Sequence, residues 1–322
     1  MSIKSLLVQI KPYLRWVILG GTLFFIVKTL RDHWQEVTTI QLAPQAGYLL
    51  PLAFAVTLVA HAWSGWVWHW FLALFNQPQS GFWSVSVYLK TNVAKYLPGN
   101  VWHFFGRARA LQATGTPTGT AVLAVVMEPL LMAVAALILA CLCGGQIVGI
   151  HSLGLQVAVL CGVLVSIHPR FFNPILQRLA QAKAKAQGLD KEIEVEAGKS
   201  PRLRAYPLRP LLGEMGFVGL RSLGFILIVT TLHATTPSQI PTLIAAFSLA
   251  WLMGLVVPGA PGGIGVFEAT AIPLLSGQFP VAIVLSSVAI YRLVSVLAEV
   301  GAAGLVWIIE AWGKNADSSK KI

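Results

Sequence analysis

The sequence is built from apolar runs of roughly 20 residues, the length a helix needs to cross the hydrocarbon of a bilayer, set apart by short polar punctuation. Of 322 residues, 56% are hydrophobic and 11% charged, against roughly 25% charged in ordinary soluble domains. The mean hydropathy is +0.72. A chain of this kind must bury its apolar surface in lipid and satisfy its backbone within each segment, which excludes a water-soluble fold and predicts an all-α, polytopic membrane helix bundle.

The runs predict helices near 13–30, 47–75, 119–143, 146–167, 208–232 and 239–257, then a long apolar stretch over 281–312 that could cross once or twice. Counting two interrupted segments, the expectation is about 7–8 spans. Residues 1–313 read as a single integral membrane domain and 314–322 as a short polar tail.

The chain carries 23 Lys+Arg against 12 Asp+Glu, a net charge of +11. Nine of the basic residues lie between Arg170 and Arg209, and most of the others flank apolar runs. That placement fits the positive-inside rule. It predicts a cytoplasmic N-terminus in the inner or plasma membrane, a cytoplasmic loop over 168–207, and a cytoplasmic 76–118 on account of Lys90, Lys95, Arg107 and Arg109. Within the loop, the run from Phe171 to Leu179 is amphipathic and suited to an anionic membrane surface. No aromatic-interleaved basic face occurs, so no nucleic acid partner is expected. Lys4, Lys11 and Arg15 precede the first apolar run without a small-residue cleavage site after it, which predicts an uncleaved anchor. Cys141, Cys143 and Cys161 lie in apolar segments with no metal-ligand spacing, so neither a metal site nor a cofactor is expected.

Two segments depart from the simple helix pattern: Tyr88–Leu111, broken at Pro98-Gly99, and Gly254–Leu275, broken at Pro258-Gly259 and again by Pro261, Gly262, Gly263 and Gly265. Apolar segments interrupted at corresponding places of two halves point to a transport site, because unwound backbone survives at membrane depth only beside protein or a water-filled cavity. The alternative is a surface turn between helices, more plausible for the first break than for the glycine-rich second. The glycine cluster lacks the spacing and the Lys-Ser/Thr ending of a nucleotide-binding loop.

An ionisable residue inside a span is costly unless paired or hydrated. Glu128 directly precedes Pro129 in the third predicted helix, Arg221 lies midway along the fifth, and Arg292 and Glu299 lie in the last stretch. Arg292 and Glu299 are seven apart and share a helix face, as do Glu214 and Arg221. Glu268, just after the glycine-rich break, either caps a helix N-terminus or pairs with Arg292 or Arg221. For these charges, interhelical pairing competes with a pathway or headgroup-binding role, for which arginines offer bidentate donors to phosphate. His61 and His69 sit among Trp63, Trp66, Trp68 and Trp70. An interfacial aromatic belt is the expectation there, ahead of a haem or proton-relay role. No nucleophile–base set or metalloprotease motif is visible, so no catalytic residue is assigned and an enzyme is disfavoured.

The run VVPGAPGGIGVFEA, followed by AIYRLVS, resembles the signature of the lysylphosphatidylglycerol synthase transmembrane family, also called flippase-like or UPF0104. Asn92, Pro98-Gly99 and Arg107, followed by a helix with Glu128, are similar to that family's first motif, and Arg221 in RSLGF to its basic position in the middle helices. The likeness covers nearly the whole chain. It implies a multi-helix membrane unit of the kind that, in the multiple peptide resistance factor, flips an aminoacylated phospholipid between leaflets, here without the soluble aminoacyl transferase domain. Many relatives have Gly-Glu after the first proline where this chain has Gly99-Asn100, a difference that bears on which headgroup is handled.

The expected function is therefore translocation of a membrane lipid or lipid-linked substrate, with Arg107, Glu128, Arg221, Glu268 and Arg292 as substrate-binding residues and Pro98, Gly99, Pro258, Gly259, Gly262, Gly263 and Gly265 as the backbone breaks. The rival expectation is a non-catalytic accessory subunit that positions a lipid-processing enzyme or glycosyltransferase through the 168–207 loop.

Overall fold

The computed structural model describes residues 27, 28, 31, 34–39, 42–96, 101–144, 153–171, 173, 174, 178, 203, 205–257, 261–263 and 265–319. The predicted helix near 13–30 falls almost wholly outside the described residues, as does most of the 168–207 loop. So do Pro98, Gly99, Pro258 and Gly259.

Every regular element among the described residues is helical: α1 (Trp34–Thr39), α2 (Ala46–Leu74), α3 (Gly81–Asn92), α4 (Trp102–Gln112), α5 (Thr118–Cys143), α6 (Leu153–Ser166), α7 (Leu208–Leu232), α8 (Ile240–Val256), α9 (Val266–Leu275) and α10 (Val281–Ser319). Helices α2, α5, α7, α8 with its preceding turn, and α10 are long and apolar enough to cross a membrane. This is a multi-pass helical bundle, and the predicted bounds of four helices, α2, α5, α7 and α8, agree to within a residue at each end. The stretch over 281–312 belongs to one continuous helix. The option of a second crossing is thereby excluded: from Val281 to Trp312 the sequence has no proline and no turn-forming pair to reverse the chain.

Helices α3, α4 and α9 hold 12, 11 and 10 residues. At 1.5 Å per residue they reach about 15–18 Å, little more than half of a ~30 Å hydrocarbon core. Two of them have a local reason to begin where they do. Ser80 caps α3 by accepting a hydrogen bond from the Trp83 backbone at 3.2 Å. At α9 the chain turns through Gly265 at φ +86°, and the Glu268 carboxylate accepts the Gly265 N–H at 2.6 Å.

Helices α2 and α7 pack along one another and carry the centre of the bundle. Small residues permit the close approach: a Cβ on Gly213 would lie 2.6 Å from Val67 Cγ2, and one on Gly224 would lie 2.7 Å from Thr57 Oγ1. One core gathers Trp68, Phe71, Leu123 and Leu131 between α2, α3 and α5. The other is aromatic, with Phe225, Phe247, Phe267 and Tyr291 contributed by α7, α8, α9 and α10. Four of the six pairs among these rings meet edge to face, Phe247 and Tyr291 having centroids 5.4 Å apart, while Phe267 and Tyr291 stack. The polar centre of the molecule lies between these two cores.

Candidate functional site

Four spans carry an ionisable residue close to their middles: His61 on α2, Glu128 on α5, Arg221 on α7 and Glu299 on α10. All four are buried. Away from water they need partners, and the half-length helices supply several of them.

On one side, Arg107 of α4 forms an ion pair with Glu128 Oε2. Tyr88 of α3 donates its hydroxyl to Glu128 Oε1 at 2.6 Å, and Ser64 of α2 donates to the Tyr88 oxygen at 2.7 Å. The guanidinium lies 3.7 Å from the centroid of the Tyr88 ring. Its Nη2 donates to Asn92 Oδ1 at 3.3 Å and its Nε to Thr91 Oγ1 at 3.3 Å. Pro129 follows Glu128 and cannot donate to the Val125 carbonyl, which loosens the helix at that turn. Glu214 is fully buried on α7, and neither carboxylate oxygen has a hydrogen-bond partner among the described residues.

At the centre, Lys95 leaves the 3-10 turn Val93–Tyr96 and donates to Glu299 Oε1 at 2.6 Å. The same oxygen is 3.2 Å from His61 Nε2, which lies 2.9 Å from Arg221 Nη1. The Arg221 guanidinium is flanked by Trp251 and Tyr291, with ring centroids 5.0 and 5.1 Å away.

On the third side, Arg292 of α10 holds the glycine-rich break. Its Nε donates to Glu268 Oε1 at 2.9 Å, and its two terminal nitrogens donate to the carbonyls of Gly262 and Gly263 at 2.7 and 2.8 Å. Gly262 and Gly263 have φ of +59° and +71°, a conformation open to glycine at little cost. Their carbonyls therefore turn inward, and a planar guanidinium suits three convergent acceptors.

A cavity of about 270 Å³ opens among these groups, with Asn92, Lys95, Arg107, Glu128 and Arg292 in its wall together with His61 and Trp251. Of the five residues predicted to bind substrate, Arg107, Glu128 and Arg292 face the cavity. Arg221 and Glu268 stand behind it and touch residues of the wall, Arg221 through His61 and Glu268 through Arg292. Gly262 and Gly263 line it as well; Gly265 lies one turn deeper, at the start of α9.

Two readings of the sequence are corrected here. Lys95 and Arg107, which the sequence presents as loop charges, are both held inward by ion pairs with Glu299 and Glu128. His61 does not belong to an interfacial belt: it is 2% exposed and bonded into the central cluster. The pairs seven apart do not bond to each other either, because Arg292 turns to Glu268 and Glu299 to Lys95. Glu268 does both things weighed for it, one oxygen capping α9 and the other meeting Arg292. Lys95 and His61 were legible in principle, since Lys95 sits inside a broken apolar segment and His61 halfway along a predicted span.

A family model described as the lysylphosphatidylglycerol synthase TM region matches residues 13–302, an interval that takes in both broken segments and all three groups of ion pairs. No curated protein matches the chain.

Proposed function

The chain belongs to the lysylphosphatidylglycerol synthase transmembrane family, and on that premise we propose that it moves a lipid or lipid-linked substrate between the leaflets of the inner or plasma membrane, its N-terminus cytoplasmic. The observation that carries the reading is the cavity: about 270 Å³, set among the middles of the spans, with Lys95, Arg107 and Arg292 in its wall. That volume suits a headgroup and leaves the acyl chains outside in the bilayer. Each cation is held by a carboxylate and keeps further N–H donors, so a phosphate oxygen can share a cation with its carboxylate rather than displace it. Arg292 also ties the headgroup site to the mobility of the backbone, because its other partners are the carbonyls of the glycine-rich break.

The test is a leaflet-accessibility assay on proteoliposomes carrying fluorescent phosphatidylglycerol. Arg292→Ala and Glu268→Ala are expected to slow transfer by about tenfold or more, the equivalent of one lost charge-assisted hydrogen bond. Transfer as fast as in the wild type contradicts the reading.

A further inference from the structure

His61 Nε2 lies between a group that can only donate and a group that accepts: Arg221 Nη1 at 2.9 Å and Glu299 Oε1 at 3.2 Å. The shorter contact is the one to Arg221, and a guanidinium has no acceptor, so a nitrogen that accepts from it holds a lone pair; in that arrangement the imidazole is neutral, with its proton on Nδ1. A second proton, bound at Nε2, reverses the arrangement. Nε2–H then opposes Arg221, donor against donor and cation against cation, and turns to Glu299 Oε1. That oxygen is the one Lys95 uses. An imidazolium therefore shares with Lys95 the carboxylate oxygen that the lysine bonds to, and weakens the hold on an ammonium in a cavity that both residues line.

From this geometry we infer that His61 is a proton site linked to the cavity, so that an anionic lipid headgroup and a proton bind together. The inference rests on the translocator reading given above and adds the ion to which movement is coupled. The charged groups facing His61 explain why the two ligands need each other. Arg221 comes from α7, Glu299 from α10 and Lys95 from the 3-10 turn. Across the cavity stand Tyr88 of α3, His103 and Arg107 of α4, Glu128 of α5 and Arg292 of α10. With His61 neutral, the set Lys95, Arg221 and Glu299 sums to one positive charge. A proton on His61 adds a second in a buried place, which is unfavourable while the cavity holds no anion. A phosphate there offsets it, and by reciprocity the proton strengthens phosphate binding. The coupling has a mechanical outlet as well: Lys95 precedes Tyr96, whose ring lies against Gly262 in the second break.

The experiment is calorimetric titration of the full-length protein in detergent with dihexanoylphosphatidylglycerol, repeated in two buffers of different ionisation enthalpy and between about pH 5.5 and 8.5. Wild type is expected to take up a proton with the lipid, and its affinity to rise toward acid by at most about tenfold per pH unit, the limit for one linked proton. His61→Gln, which keeps an acceptor for Arg221 but does not titrate, is expected to bind with no net uptake and a flat pH profile. Glu299→Gln, which removes the negative charge facing the imidazolium, is expected to lower the uptake too and serves as the second variant. Lipid binding by wild type without proton uptake overturns the inference and leaves the translocator reading standing. Uptake unchanged in either variant overturns it as well, since the proton then binds elsewhere. Absence of lipid binding overturns both. Glycerol 3-phosphate forms a parallel arm: binding and proton uptake with it but not with the lipid assign the site to a soluble anion and overturn the inference.

Discussion

Tyr96, the last described residue before the first break, lies against Gly262 in the second: a Cβ on Gly262 would come within 3.0 Å of Tyr96 Cε1. Two segments far apart in sequence, one following α3 and the other leading into α9, thus meet at one point, and the cavity opens beside their contact. Gly262 is constrained twice, by the tyrosine ring and by its φ of +59°.

Gly262→Ala is accordingly expected to destabilise the protein by at least about 1–2 kcal/mol, the cost of left-handed backbone in a residue with a Cβ. It also displaces the carbonyl that Arg292 grips, so transfer slows. Thermal unfolding in detergent and the leaflet assay read the two effects separately.

Arg107 and Glu128 are buried together, 1% and 3% exposed. Glu128→Gln leaves the guanidinium without its counter-charge and is expected to cost about 3–5 kcal/mol. The double variant Arg107→Met with Glu128→Leu removes both charges and should recover most of that stability. If the pair serves the headgroup, the recovered protein still fails to transfer lipid.

Lys90 and Glu310 form the contrasting case. Their 2.6 Å ion pair joins α3 to the far end of α10, but the side chains remain 28% and 32% exposed. Lys90→Ala is expected to change stability by no more than about 1 kcal/mol, with transfer at the wild-type rate. A large loss on either measure would mean that this end of the bundle takes part in the reaction.

Arg292→Lys keeps the charge and loses the fork. One ammonium cannot direct hydrogen bonds to Glu268, Gly262 and Gly263 in the plane that a guanidinium provides. Each charge-assisted bond lost is worth about 1.5–3 kcal/mol, so a reduced melting temperature and slower transfer are expected despite the conserved charge. Equal behaviour of Lys and Arg at this position would reduce the role of Arg292 to that of a positive charge.

The spans were legible because a membrane helix is announced by the length of a mostly apolar run: Leu208–Leu232 and Thr118–Cys143 stand out in the sequence despite the ionisable residues each contains. The unusual segments were legible too, since proline and glycine mark unwound backbone whatever surrounds them. Partner choice was not. Helical spacing places Arg292 and Glu299 on one face, but whether they bond to each other depends on what the neighbouring elements present, and here those elements present Glu268 and Lys95. Lys95 illustrates the general difficulty, because a lysine beside a Pro-Gly break reads as a loop charge until the fold turns that segment inward. His61 was obscured by the four tryptophans around it, a composition shared by interfacial belts and by packed interiors.

The central claim is that a lipid headgroup enters the cavity between the two broken segments. Photolabelling in proteoliposomes with phosphatidylglycerol bearing a diazirine on its headgroup tests this most directly, with the labelled peptides identified by mass spectrometry. The account predicts adducts on cavity-wall residues such as Phe104, Met132 and Trp251, suppressed by excess unlabelled lipid. Adducts confined to the exposed surface of α10, at Leu293, Leu297 or Trp307, would contradict it.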